Sequence, residues 1–202
     1  MVQRYNQMIA GWLDQYQDAI QRGEVRVFAV DECHLKGGDI CGYGWGNRQE
    51  RREVEVANYR DSQTYFGAVD CISGELVISA AQTATGDSTI EFIERLRASS
   101  QGARIIIVWD GASYHRSQQL RDFLAHLNQG EDWQAHCLRF APYAPQENPI
   151  ENLWGQAKHR LRQMHQRCRS FTLTRRLFEL LFKYQLLTLP DIKTYSTFSS
   201  IT

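Results

Sequence analysis

"RIIIVWD", residues 104 to 110, is an unbroken apolar run entered from an arginine and closed by an acid. A strand covered on both faces needs apolar side chains at odd and even positions alike, so this run predicts a central strand with helices on either side of its sheet. Just before it, "GDSTIEFIERLRAS" (86–99) sets Ile90, Ile93 and Leu96 on one helical stripe, with Ser88 and Glu91 in capping-box register. Just after it, Leu120, Phe123, Leu124 and Leu127 mark a second helix, and a short strand follows near "CLRF" (137–140). Helix, strand, helix, strand is the pattern of a layered sheet.

Farther toward the N-terminus, "EVRVFAVDE" (24–32) is a Val-rich strand pattern with Asp31 at its C-terminal end. "REVEVANY" (52–59), "TYFGAVD" (64–70) and "ELVISAAQ" (75–82) are further strand patterns, the last two joined by "CISG", a tight turn, so the strands predict an antiparallel meander. Tyr5, Met8, Ile9, Trp12, Leu13, Tyr16 and Ile20 recur at helical spacing ahead of the meander, and Gly23 is the expected stop. The tail "FTLTRRLFELLFKYQLL" (171–187) predicts one more helix, closed by Pro190. The expected class is α/β: a mixed central sheet, an antiparallel meander followed by parallel strands, flanked by helices. Length favours one domain over 1–202, with 1–22 as a leading helix and 166–202 as a helical tail.

Hydrophobic residues make up 43% and charged residues 23% of the chain, the balance of a folded globular protein. Polar residues interrupt the first twenty positions and no apolar run has the length of a membrane span, so a cytoplasmic location and no membrane partner are expected. Five scattered cysteines, none in a C-x-x-C pair, argue against a disulfide framework and a zinc knuckle. Basic and acidic residues balance at 23 each, but not along the chain. From Asn152 to Phe178 there is no acid, while Lys158, Arg160, Arg162, Arg167, Arg169, Arg175 and Arg176 accumulate.

Two buried-type strands ending in acid, at Asp31 and Asp110, point to a site at one edge of the sheet. Either acid alone is equally ordinary turn chemistry. The third acid lies in "APYAPQENPIENLWGQAKHRLR" (141–162), where Asn148 is the expected N-cap, Pro149 the first helical residue and Glu151 the third. Capping alone accounts for Glu151, but the same geometry fixes a carboxylate at the mouth of a helix. Three carboxylates from three elements make an oxygen-rich cage suited to Mg²⁺ or Mn²⁺. Glu147, in the preceding loop, is the less constrained candidate.

"VDECH" (30–34), "VWDGASYHRS" (108–117) and the "P-x-x-NPIE-x-LW" block, in this order, resemble the signature blocks of DDE transposases of the Tc/mariner superfamily, in its bacterial insertion-sequence branch. The resemblance covers roughly residues 25 to 165. It implies an RNase H-like fold, two metal ions held by Asp31, Asp110 and Glu151, and cleavage and strand transfer at the ends of a mobile element. It implies double-stranded DNA as partner, through terminal inverted repeats and a target, and a homodimer in the active complex. In a bacterial cell such a protein is associated with the nucleoid while bound to DNA. Lys158, Arg160 and Arg162 then become candidate phosphate contacts, and Arg48, Arg51 and Arg52 a second, weaker basic cluster. A solvated helix face is the plain alternative for Lys158, Arg160 and Arg162, and the second cluster falls on a hairpin or loop. His115, Asn148 and Asn152 are auxiliary candidates, His115 matching a histidine that follows the second Asp in the family. The family's helix-turn-helix domains have no counterpart in the thirty residues ahead of Asp31, which leaves three readings: the downstream half of a frame-split element, a truncated remnant, or a catalytic core served by a separate N-terminal helix-turn-helix chain.

Three rivals stand beside this reading. A receiver domain also gathers acids such as Asp31 and Glu32 at strand ends, but it alternates strand and helix from its start. A zinc site from Cys33, His34 and Cys41 lacks regular spacing and a fourth ligand. A catalytically silent transposase remnant, acting as a DNA-binding or assembly module, would keep the same motifs.

Overall fold

The computed structural model describes residues 1–41, 49, 56 and 60–201. Five strands form one sheet in the order β3-β2-β1-β4-β5: β1 (Val25–Lys36), β2 (Ser62–Asp70), β3 (Leu76–Ala81), β4 (Arg104–Trp109) and β5 (Ala135–Arg139). β1 pairs antiparallel with β2, and β2 with β3, while β4 runs parallel to both β1 and β5. This is the expected mixed sheet. The predicted strand at 52–59 lies outside the described residues except for Val56, which packs against the core.

Strand parity divides the core in two. Val25, Val27 and Ala29 of β1 and Ile106 and Val108 of β4 face one layer, built on α1 (Val2–Gln15), α5 (Pro149–Gln163) and α6 (Phe171–Lys183). Phe28 and Val30 of β1 and Ile105, Ile107 and Trp109 of β4 face the other, built on α3 (Gly86–Ser99) and α4 (Gln118–Leu127). The run at 104–109 is thus apolar at every position because each parity has its own helical layer. Among the described residues no helix is long and apolar enough to cross a membrane.

Local chemistry sets the boundaries, and three differ from expectation. The first helix breaks at Tyr16 (φ −112°, ψ 11°), and the short α2 (Gln17–Gln21) continues from it. Its apolar stripe still docks, through Ile9, Leu13 and Ile20. The cap of α3 lies one turn before the predicted one: Thr85 Oγ1 accepts from Ser88 N, and Ser88 Oγ accepts from Thr85 N. The "CISG" turn closes as expected, with Gly74 at φ +72° and Asp70 accepting from the backbone of Ile72 and Ser73 while it pairs with Arg26 at 2.7 Å.

The third difference positions the site. β1 does not end at Asp31. It loses β4 after Ala29, which pairs with Val108, and continues against β2 alone to Lys36. Asp31 therefore stands in a notch, mid-strand, beside an edge that β4 no longer covers.

Candidate active site

Parity decides where Asp31 points. Asp31 follows Val27 and Ala29, so it lies on the α5 side of the sheet, and Asp110, just past the end of β4, lines the same cavity. Helix α5 is pinned there by Asn148, which is buried and bonded twice. Its Nδ2 donates to the carbonyl of Val30 at 3.0 Å, satisfying a β1 oxygen that β4 leaves free, and its Oδ1 accepts from Ile150 N. Glu151 is thereby held on the first turn, and Asp31, Asp110 and Glu151 line one cavity of about 500 Å³. The expected capping box does not close at Glu151, because the Asn148 N–H already donates to the carbonyl of Pro145. The carboxylate is left to the cavity.

The three acids sit in different fields. Burial, and then the negative charges of Glu151, Glu32 and Asp110, push Asp31 up to about 8. Burial also raises Glu151, with Asp110 adding to the shift and Lys158 opposing it. Asp110 is held below the ordinary carboxylate range, chiefly by its hydrogen bond with His115. Such crowding of like charge around oxygen donors suits a hard divalent cation, so the residues present fit Mg²⁺ or Mn²⁺.

Two further side chains complete the setting of Asp31. Trp154 Nε1 donates to Asp31 Oδ2 at 3.2 Å, and Gly67 lies opposite Asp31 in β2, where any Cβ would overlap the indole. Behind Asp110, on the other face of the sheet, His115 stacks on Trp109 with ring centres 4.0 Å apart. Its Nδ1 lies 3.3 Å from Asp110 Oδ1 and its Nε2 3.2 Å from Glu32 Oε1, while Tyr114 donates to Glu32 Oε2 at 2.8 Å. Glu32, Asp110 and His115 thus bring donor atoms within 4.8 Å of one another, close enough to hold a metal ion. Burial opposes protonation of His115, but its bonds to the two carboxylates outweigh it and lift the imidazole to about 9. With both ring nitrogens protonated the group is an ion-paired bridge, and it could take a metal only after the ring gives up a proton.

The basic candidates divide. Lys158 reaches Asp39 and the carbonyl of His34, each at 3.2 Å, and Arg162 donates to the carbonyl of Cys41 at 3.1 Å, so both tie α5 to the end of β1. Arg160 is exposed. Arg48, Arg51 and Arg52 lie outside the described residues. Asn152 is exposed and accepts from Gln156 at 2.6 Å. Glu147 is turned away from the cavity and accepts from Asn6 of α1 at 2.8 Å. The zinc rival does not assemble: Cys33 and His34 are strand neighbours on opposite faces, and His34 Nδ1 is engaged with Thr64.

Sequence reading missed Glu32, Trp154, Arg139 and Tyr143 as members of the site. Arg139 at the end of β5 lines the cavity, its guanidinium lying where a Cβ on Gly111 would be. Glu32 was visible as half of an acid pair, yet only its parity, one step from Asp31, assigns it to the opposite face.

The family model of the DDE superfamily endonucleases matches residues 26–172. Among solved structures, the Mos1 strand transfer complex superimposes with a TM-score of 0.61 at 15% identity, over 99% of this chain and 58% of that one. The Mos1 mariner paired-end complex with Mn gives 0.61 at 15%, over 99% and 59%. The catalytic domain of Mos1 mariner transposase gives 0.55 at 15%, over 100% and 90%. The chain thus has the RNase H-like fold and spans under two thirds of the longer Mos1 chains. No curated protein gives a match.

Proposed function

The chain belongs to the DDE superfamily endonucleases, and from that premise we propose that it is the catalytic domain of a Tc/mariner-type transposase of the bacterial insertion-sequence branch, cutting and joining DNA strands at the ends of a mobile element. One observation carries the reading: carboxylates from a mid-strand notch, a strand end and a helix start converge on one cavity, where burial first and then their mutual crowding raise Asp31 to about 8. Asp31, Asp110 and Glu151 would hold the Mg²⁺ or Mn²⁺, two ions in the full site. Metal bound there supplies Lewis acidity for displacement at a phosphodiester.

The chain's own residues supply placement. Trp154 fixes the Asp31 carboxylate by its N–H, His115 fixes that of Asp110, and Asn148 fixes the helix that presents Glu151. Arg116 and Arg139 line the same cavity and offer guanidinium groups to a phosphate of the strand. Arg160, with Arg48, Arg51 and Arg52, extends the proposed contact to duplex DNA, and Lys158 and Arg162 act first as struts for α5. Recognition of inverted repeats is assigned to a helix-turn-helix module, in this protein or in a partner, pairing of ends to a homodimer, and the place of action to the bacterial nucleoid in the cytoplasm.

Supercoiled-plasmid nicking in Mn²⁺ tests the reading. The wild type should nick, and Asp31→Asn, Asp110→Asn and Glu151→Gln should each abolish nicking with circular dichroism unchanged. A folded wild type that binds DNA and never cuts it would favour the silent module instead.

A further inference from the structure

We propose that the active-site cavity holds one unpaired nucleotide of the DNA strand, its base stacked on Tyr143 and its phosphate beside Arg139. The proposal rests on the DNA-cleaving reading above and names the unit of substrate that the site takes.

Tyr143 is 103% exposed, although Ala141 and Ala144 on either side of its turn are buried. Its backbone sits at φ +59°, in the left-handed region that bulky side chains rarely occupy and glycine or asparagine enter freely. Neither packing nor backbone conformation therefore calls for an aromatic residue here. Among the described residues the ring makes no hydrogen bond and no ring contact. Strain retained without a packing return is characteristic of ligand-holding positions.

Tyr143 lines the same cavity as Asp31, Asp110 and Glu151, on a turn stiffened by Pro142 and Pro145. In the same wall Arg139 keeps its Nε buried with no hydrogen-bond partner. A buried guanidinium N–H without an acceptor is costly, and a phosphate oxygen is the acceptor that such a group fits. Aromatic surface and a guanidinium whose Nε has no acceptor, both in the lining of one cavity, match the two halves of a nucleotide. The cavity, at about 500 Å³, has the size of a small-molecule site, roughly 300–1,000 Å³, and suits one nucleotide unit rather than a duplex. Base-on-aromatic stacking tolerates any base, so the subsite would serve different flanking sequences. The nucleotide must first leave its base pair, as it does where enzymes act on a base or strand lifted from the helix.

The test uses a duplex with a single-stranded 3′ overhang, carrying 2-aminopurine at the junction, and a blunt duplex of the same sequence, both in Ca²⁺. The wild type and Tyr143→Phe should bind the overhang alike and quench the 2-aminopurine. Tyr143→Gly, which relieves the backbone, should keep or raise Tm, bind the blunt duplex as the wild type does, and lose about 5- to 100-fold in overhang affinity together with the quench. Overhang binding and quench unchanged in Tyr143→Gly, or no overhang binding by the wild type, would overturn the subsite. Plasmid nicking is read separately: Tyr143-dependent overhang binding without nicking would uphold the subsite and sink the cleavage reading, whereas nicking with Tyr143-independent binding would do the reverse.

Discussion

Trp154 reaches Asp31 through space that Gly67 leaves empty. The indole Nε1 donates to Asp31 Oδ2 at 3.2 Å, and Gly67 is the cross-strand partner of Asp31 in β2. Behind the indole, Phe178 and Phe182 stand with ring centres 6.0 and 5.0 Å away, so it cannot retreat. Gly67→Ala is therefore expected to cost about 1–3 kcal/mol of stability by overpacking. It should also slow Mn²⁺-dependent nicking. Trp154→Phe removes the donor while keeping an aromatic ring, and should slow nicking about ten- to hundredfold. Urea denaturation beside nicking rates separates the two effects; wild-type rates in Trp154→Phe would deny the bond any part in placing Asp31.

Glu147 should prove structural. Its carboxylate accepts from Asn6 Nδ2, which also donates to Ser196 Oγ at 2.7 Å, so one buried amide joins α1, the loop before α5 and the C-terminal tail. Glu147→Ala should lower stability by about 1–2 kcal/mol, a fall in Tm of roughly 2–8 °C. Nicking per folded molecule should not change. A dead but fully stable Glu147→Ala would move the third carboxylate from Glu151 to Glu147.

Much of the fold was legible because periodicity reports burial. The apolar run at 104–109 announced a two-layered strand, and Asn148-Pro149 announced the start of α5. What periodicity cannot report is the length of a strand relative to its neighbours. Asp31 reads as a strand end because acid follows apolar residues, whereas β1 continues to Lys36 on β2 alone. The notch that makes Asp31 a site residue is a property of register between strands distant in sequence. Gly67, Trp154 and Arg139 are likewise brought to the acids by tertiary contacts that leave no local pattern. Tyr143 had a signal only in hindsight: an aromatic residue in a proline-framed turn, where small residues are the rule.

The His115 bridge should be catalytically relevant beyond its role in stability. His115→Phe keeps a ring for Trp109 to stack on but severs Asp110 from Glu32, whose side chain is only 6% exposed. Leaving that carboxylate with the Tyr114 hydroxyl but no cation should destabilise the variant by several kcal/mol. Adding Glu32→Met removes the stranded charge and should restore most of the stability. Nicking should stay about ten- to hundredfold below wild type in the double variant, because Asp110 still lacks its partner. Recovery of both stability and nicking would reduce the bridge to a packing device.

The docking of α1 should weaken in acid. His136 on β5 stacks on Trp12 with ring centres 3.6 Å apart and planes within 9°, and Trp133 meets it edge-on. Burial lowers the pKa of His136 from the ordinary 6.5, and a cation borders this cluster: the Arg104 guanidinium lies 4.9 Å from the Trp133 ring centre. Asp132, which faces Arg104 at 3.8 Å, is largely exposed and offers the imidazole no ion pair. A lowered folded-state pKa means that the unfolded chain binds the proton first as pH falls. The stabilisation from neutral His136 is thus fully present above about 6.5 and is lost as pH drops through the lower folded-state value. Urea denaturation followed by tryptophan fluorescence between pH 5 and 8, a range of about three units chosen to span histidine titration, should show the wild type losing stability on the acid side. His136→Phe keeps the stack without the titration, so the wild-type minus variant difference should be flat above about 6.5 and fall below it. A difference that is flat throughout would mean that His136 is protonated as easily in the folded protein as in the unfolded chain, and that the stack on Trp12 does not exclude the charge.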